Sequence, residues 1–196
     1  YSVLVHRRGV CAGYTNAARY LLHKLGIKTI YVSGFGKGEE HCWCEVKVNG
    51  SWYALDVTWG DPVTEDNRDL ITYTYFLTTD KDMKLDHTIS PDNPPVPNCV
   101  HTGCNYYVWQ GRYLDTKDTE QISIMMKDAA SRKEMLEFKC SNQLVYEGVV
   151  KYLVEEEGLW RALNYAHYFS PWFDPYQATY SSDDVHHIIR ITPDYE

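Results

Sequence analysis

The dipeptide Asn49-Gly50 constrains this chain more than any other feature, because it separates two runs of strand-forming residues, His41–Val48 and Ser51–Trp59. Asn-Gly in that setting is the strongest short-range signal for a two-residue type I′ hairpin turn. A two-residue loop fixes the register: Val48 faces Ser51, and counting back puts His41 opposite Thr58 and Trp43 opposite Asp56. With a side-chain period of two, His41, Trp43, Glu45, Ala54, Asp56 and Thr58 share one face, while Cys42, Cys44, Val46, Tyr53, Leu55 and Val57 share the other. His41 and Asp56 become diagonal neighbours, about 7–8 Å apart at the backbone, a gap that an imidazole and a carboxylate can close. A carboxylate on one ring nitrogen fixes the tautomer and leaves the other nitrogen free to act as a base.

The rest of the chain is read around that hairpin. Its 196 residues, 44% of them apolar, suffice for one good core, or one core with a small lobe. A net charge of −8 with no basic cluster beyond Arg7-Arg8 argues against a nucleic-acid surface and for protein, peptide or small-molecule partners. No run approaches the ~20 apolar residues of a membrane span, and no signal peptide opens the chain. It begins at Tyr1, ten residues before its best nucleophile candidate, so the expectation is a piece of a longer protein whose N-terminal part is missing. Six scattered cysteines leave the redox compartment open, and the oligomeric state is not legible.

From Cys11 onward Tyr14, Ala17, Ala18, Leu21, Leu22 and Leu25 recur at helical spacing and Gly26 follows, which predicts a helix with Cys11 at its N-terminus and a glycine C-cap. Ile27–Phe35 reads as a strand that leads through the glycine-rich Gly34–Gly38 loop into the hairpin. The chain is polar to Asp69, β-prone over Leu70–Thr78, and an irregular proline-rich loop over Asp80–Asn98. Tyr106–Leu114 reads as a strand, Thr119–Ser131 as a helix, Glu134–Cys140 as a strand and Asn142–Glu155 as a helix. Leu159–His167 follows as a helix, and Tyr176–Ser181 with Val185–Thr192 form a terminal hairpin. The fold class is α+β, divided into a core over residues 1–115 and an α+β extension over 116–196, with packing of the two as one unit left open.

A thiol attacks a carbonyl as the thiolate, and a helix N-terminus favours that anion through its unpaired N–H groups and dipole. The Cys11 backbone N–H points where an oxyanion would form. Cys11, His41 and Asp56 are therefore the candidate nucleophile, base and orienting group, and the helix is expected to pack across the His41 face with its N-terminus toward His41, bringing the Cys11 sulfur to about 3–4 Å from an imidazole nitrogen. The motifs Gly9-Val10-Cys11-Ala12-Gly13-Tyr14, His41-Cys42-Trp43, Asn49-Gly50-Ser51-Trp52-Tyr53 and Asp56-Val57-Thr58-Trp59-Gly60-Asp61-Pro62 resemble the transglutaminase-like superfamily, in its bacterial, peptidase-like branch. A fainter likeness runs through Tyr75-Phe76, Asp86-His87 and Asn105-Tyr106-Tyr107. The resemblance implies a papain-like core, with the nucleophile-bearing helix packed on an antiparallel sheet, and a Cys–His–Asp triad on Cys11, His41 and Asp56. It also points weakly to an extracellular or cell-surface location. Where many relatives read His-Ala-Trp-Asn, this chain has His41-Cys42-Trp43-Cys44, and the upstream helices and oxyanion side chain of the family have no counterpart here.

The expected activity is thiol-dependent acyl transfer on protein or peptide amides, with hydrolysis by a cysteine peptidase or amidase favoured over cross-linking. The alternatives are a protein-glutamine amine transferase and a non-catalytic surface module with a vestigial triad, whose aromatic C-terminal region would form the partner surface. Trp43 and Trp59 are candidates to wall the acyl groove, with core packing an equal alternative. No cofactor or metal is expected, since His87, His167, His186 and His187 have no ligand spacing. A four-thiolate site of Cys42, Cys44, Cys99 and Cys104 is less favoured than a Cys99–Cys104 disulfide.

Overall fold

The computed structural model describes residues 2–6, 8–62 and 71–195. The polar stretch beyond Pro62 and the first residue of the β-prone run, Leu70, lie outside the described residues. The protein is α+β, and it divides into two compact units, Tyr1–Trp109 and Gln110–Glu196.

In the first unit a short helix α1 (Ser2–His6) precedes α2 (Cys11–Lys24), which Gly26 ends with a left-handed φ of 75°. Strands β1 (Thr29–Gly36), β2 (Glu39–Val48) and β3 (Ser51–Leu55) form an antiparallel sheet. The predicted register holds from Val48–Ser51 through Glu45–Ala54 to Cys44–Leu55, where β3 ends, so the expected pairs Trp43–Asp56 and His41–Thr58 are not formed; the turn residues Asn49 and Gly50 have φ of 50° and 84°. The glycine-rich segment is not a loop. Gly34 and Gly36 belong to β1, and the reversal is a second tight turn at Lys37-Gly38, with φ of 49° and 87°. Gly36 is small for a reason of packing: a Cβ there would lie 2.7 Å from Trp59 Cζ2 and 3.2 Å from His41 Cδ2.

Beyond the hairpin, residues 71–77 form no strand; Thr78 makes an isolated bridge to Ala54. The proline-rich segment carries the short helix α3 (Asp80–Met83), capped by the Thr79 side chain, and strand β4 (His87–Ile89), which pairs with β1. The sheet order is thus β3-β2-β1-β4. The expected strand at Tyr106 begins instead with the helix α4 (Tyr106–Trp109), after Asn105 accepts the Tyr107 N–H at 3.1 Å in a helix-starting turn.

The two faces of the sheet are packed differently. Cys44, Val46 and Leu55 on one face pack with Leu22 and Ile27, and buried Thr15 of α2 donates its hydroxyl to the Cys42 carbonyl at 3.0 Å. Val32, Trp43 and Ala54 on the other face pack with Tyr75, Met83 and Cys99. Helix α2 therefore lies on the apolar, thiol-bearing face and not across the His41 face, where the sequence reading put it. The apolar stripe is correspondingly narrow, for Leu21 and Leu25 are exposed and only Thr15 is fully buried.

In the second unit β5 (Tyr113–Leu114) runs parallel to β6 (Leu136–Cys140), and β6 runs antiparallel to β8 (Ile188–Tyr195), which pairs with β7 (Phe173–Asp183). Three helices complete it: α5 (Thr119–Ser131), α6 (Gln143–Glu155) and α7 (Gly158–Phe169). Asp118 and Asn142 cap α5 and α6 by accepting the N–H groups of Gln121 and Val145. Ala129, Ala130, Ala162 and Ala166, all fully buried, let α5 and α7 approach closely around a core with Phe138, Ile189 and Ile191.

Candidate active site

Asp56 lies one residue past the end of β3, and its own carboxylate explains why the strand stops there. Oδ1 accepts the backbone N–H groups of Thr58 (2.9 Å) and Trp59 (3.3 Å), which would otherwise serve the ladder. The Asp56 N–H is donated to the Tyr75 carbonyl at 3.1 Å. Thr58 and Trp59 thus turn away from the hairpin instead of pairing with His41, as a longer strand would have had them do. The turn leaves Oδ2 aimed at His41, whose Nε2 approaches to 2.7 Å in a buried contact. Nδ1 of His41 is then the nitrogen left for chemistry. Burial by itself would raise the Asp56 pKa, but the hydrogen bonds from His41 and His87 outweigh it and hold the carboxyl below its ordinary value.

Cys11 opens α2, whose N-cap residue, Val10, supplies no side-chain acceptor while its carbonyl takes the Gly13 N–H at 2.8 Å, so the first-turn donors that face a ligand are the N–H groups of Cys11 and Ala12. Cys11, Ala12, Glu40, His41 and Cys42 line one cavity of about 380 Å³. The sequence reading expected sulfur and imidazole at about 3–4 Å, a hydrogen-bonded pair. Among the described residues no hydrogen bond joins Cys11 to His41, and the two are brought together as walls of that cavity. Cys42 sits beside Cys11: burial pushes its thiol upward, hydrogen bonds from Tyr31 and Thr15 oppose this, and the contact with Cys11 adds to the rise. Burial pushes the Tyr31 hydroxyl up to about 12, with the Cys42 contact acting in the same direction.

The two tryptophans occupy different positions. Trp43 is 2% exposed within the core, its ring 6.2 Å from that of His41. Trp59 is half-buried and stacks on His41 at 5.0 Å, with the Lys37 ammonium 4.9 Å above its ring. Neither lines the cavity that holds Cys11.

The residue that sequence reasoning passed over is His87. It is buried, its Nε2 lies 3.3 Å from Asp56 Oδ2, and its Nδ1 lies 2.6 Å from Asp86 Oδ1. Its ring packs against those of Trp59 (4.4 Å) and Trp43 (5.1 Å). The signal was the Asp86-His87 pair; what hid it was the reading of its segment as loop, when β4 pairs with β1 and carries the ring onto the His41 face. His186 is also buried, against Asp183 at 3.1 Å, while His167 and His187 bond to the Phe173 carbonyl and to Gln143.

All six cysteines are free thiols, so the Cys99–Cys104 disulfide weighed against the four-thiolate site is not formed. The four-thiolate arrangement is excluded by the sheet, since Cys42 and Cys44 share one face and Cys99 packs on the other. Glu45, Asp80 and Cys99 do bring ligand-type atoms within 4.8 Å of one another, as do His41, Asp56 and His87, where the closeness is that of hydrogen-bond partners. No helix among the described residues is long and apolar enough to cross a membrane.

Residues 1–57, the segment that carries Cys11, His41 and Asp56, match the model of the transglutaminase-like superfamily. The match covers part of the first unit, and over that segment the chain is similar to the transglutaminase-like superfamily. No curated protein gives a significant match to the chain.

Proposed function

We propose that the first unit is a thiol acyl-transfer enzyme in which Cys11 attacks a peptide or side-chain amide, His41 moves the proton, and Asp56 orients His41. The observation that carries this reading is the buried 2.7 Å contact between His41 Nε2 and Asp56 Oδ2, beside a cavity shared by His41 and Cys11. In the first step the sulfur forms a bond to the amide carbon, the Cys11 and Ala12 N–H groups at the start of α2 receive the oxyanion, and His41 delivers the proton to the departing nitrogen. Water activated by His41 then cleaves the thioester, giving an acid and regenerating the thiol. Hydrolysis is preferred to cross-linking on the strength of the peptidase-like motifs and of a cavity with polar walls that include Glu40 and Ser90.

Alkylation with iodoacetamide, followed peptide by peptide, tests the nucleophile. Cys11 is expected to react at about pH 6, where an ordinary thiol of pKa about 8.5 is almost wholly protonated. A rate that follows an ordinary thiol titration would leave a non-catalytic surface module as the better reading. Mass spectrometry of a glutamine peptide incubated with the protein, with and without a primary amine, separates the outcomes: deamidated or cleaved peptide is expected, and amine incorporation would assign a transferase instead.

A further inference from the structure

Asp56 serves two imidazoles with one oxygen. His41 Nε2 and His87 Nε2 approach the same Oδ2, at 2.7 and 3.3 Å, while the far nitrogen of His87 meets Asp86 Oδ1 at 2.6 Å and the Tyr75 hydroxyl donates to Asp86 Oδ2 at 2.6 Å. Carboxylate oxygens offer only lone pairs, so a ring held between two of them must bear a proton on each nitrogen. A simple histidine–carboxylate pair does not require this arrangement.

We propose that His87 is a positioning residue for the Cys11–His41–Asp56 site: a fixed imidazolium, clamped by Asp86, that neutralises one of two buried carboxylates and sets the charge Asp56 presents to His41. The inference rests on the triad reading given above. Burial favours the neutral ring, but the hydrogen bonds to Asp56 and Asp86 exceed that cost and the pKa of His87 is raised. The charged and titratable groups that face it are His41 and Glu45 from β2, Asp56 past β3, Tyr75, Asp80 of α3, Lys84 and its neighbour Asp86. Lys37 lies above the Trp59 ring that packs on it.

With Asp56 and Asp86 ionised and His87 cationic, the cluster behind His41 carries one net negative charge. His87→Gln leaves two. A more negative field makes the proton on His41 harder to remove and the thiolate at Cys11 harder to form, so both limbs of the pH profile move to higher pH. A charge at this distance shifts titrations by roughly one pH unit. Adding Asp86→Asn to His87→Gln returns the net charge to one, and the limbs move back.

The experiment is the pH profile of Cys11 alkylation, with folding monitored by circular dichroism, for the wild-type chain, His87→Gln and His87→Gln with Asp86→Asn. The expected result is an alkaline shift of both limbs in the single variant, reversed in the double variant. Limbs that stay in place while only amplitude or stability falls would overturn the inference, as would a double variant shifted as far as the single. The wild-type protein gives a check that needs no variant, because imidazole nitrogen chemical shifts at about pH 7 should show His87 protonated on both nitrogens, and a neutral ring there sinks the proposal. If wild-type Cys11 shows no activation, the triad reading fails by itself; if Cys11 is activated and the limbs of the variant do not move, only the role of His87 fails.

Discussion

Both units bury carboxylates on four-stranded sheets, and they treat them in opposite ways. In the second unit buried Glu137 and half-buried Asp183 have partners of their own: Glu137 lies directly across the ladder from Arg190, whose Nε approaches to 2.5 Å, and Asp183 receives the His186 ring and the backbone N–H groups of Val185 and His186. In the first unit Asp56 is shared by two imidazoles, and Glu45, 1% exposed, has an oxygen without a hydrogen-bond partner, close to Asp80 and Cys99. One-to-one pairing offsets the desolvation of a charge, and shared or incomplete pairing leaves groups poised to change protonation. By that measure the second sheet holds its charges fully paired, and the first keeps groups poised to change protonation.

The largest expected effect breaks the paired side of this comparison. Glu137→Gln keeps the shape of the side chain but leaves the guanidinium of Arg190 without its counter-charge, and loss of one partner of a buried pair costs about 3 kcal/mol, at the low end because Arg190 keeps some solvent contact. Replacing both residues by methionine should recover most of that loss. Urea unfolding of the single and double variants measures it. A double variant as unstable as the single would mean that the site needs the charges and not merely their mutual satisfaction.

A smaller effect separates the units by pH. Burial, reinforced by the negative charge of Asp80, pushes Glu45 up to about 8 from 4.5, so the folded protein holds that proton more tightly than the unfolded chain. Its contribution to stability is complete below about 4.5 and is lost as the pH rises from there through about 8. Asp183 runs the other way: burial would raise it, but the His186 contacts lower it to about 2 from 3.8, so its contribution is present above about 3.8 and disappears as the pH falls through about 2. Thermal unfolding across pH should show Glu45→Gln removing the decline between about 4.5 and 8 and Asp183→Asn removing part of the decline between about 3.8 and 2. The contrast fails if either variant flattens the opposite limb.

How much of this was legible in the sequence follows the range of the interactions. The Asn49-Gly50 turn, the register, the helix beginning at Cys11 and the helix over Thr119–Ser131 are local consequences of turn chemistry, period and caps, and each lies where the residues put it. His41 does meet Asp56 as expected, but the ladder stops at Cys44–Leu55 and it is the turn made by the Asp56 carboxylate that aims it at His41. What escaped reading depends on contacts distant in sequence. His87 reaches Asp56 only because a three-residue strand in a proline-rich segment pairs with β1, and no periodicity is visible over three residues. The face chosen by α2 was misjudged because its buried anchor is Thr15, a polar residue that bonds to the Cys42 carbonyl, while the more conspicuous Leu21 and Leu25 remain in solvent.

The smallest effect tests whether the first sheet owes its chemistry to the turn or to the packing on its faces. Gly50 has φ of 84°, and a Cβ at that position would meet nothing within 4 Å, so alanine there brings no clash and only the cost of a left-handed backbone, about 1 kcal/mol. The register has other supports: the ladder from Val48–Ser51 to Cys44–Leu55, and apolar clusters on both faces. A register slip would turn every side chain of one strand over and force Trp43 into the face packed on α2, and Cys44 and Val46 into the opposite face, a far larger penalty than the turn can impose. Gly50→Ala should therefore lower the urea midpoint slightly and leave the pH profile of Cys11 alkylation where it was. If that profile collapses while the protein stays folded, the turn rather than the packed faces holds His41 against Asp56, and the hairpin loop becomes part of the site.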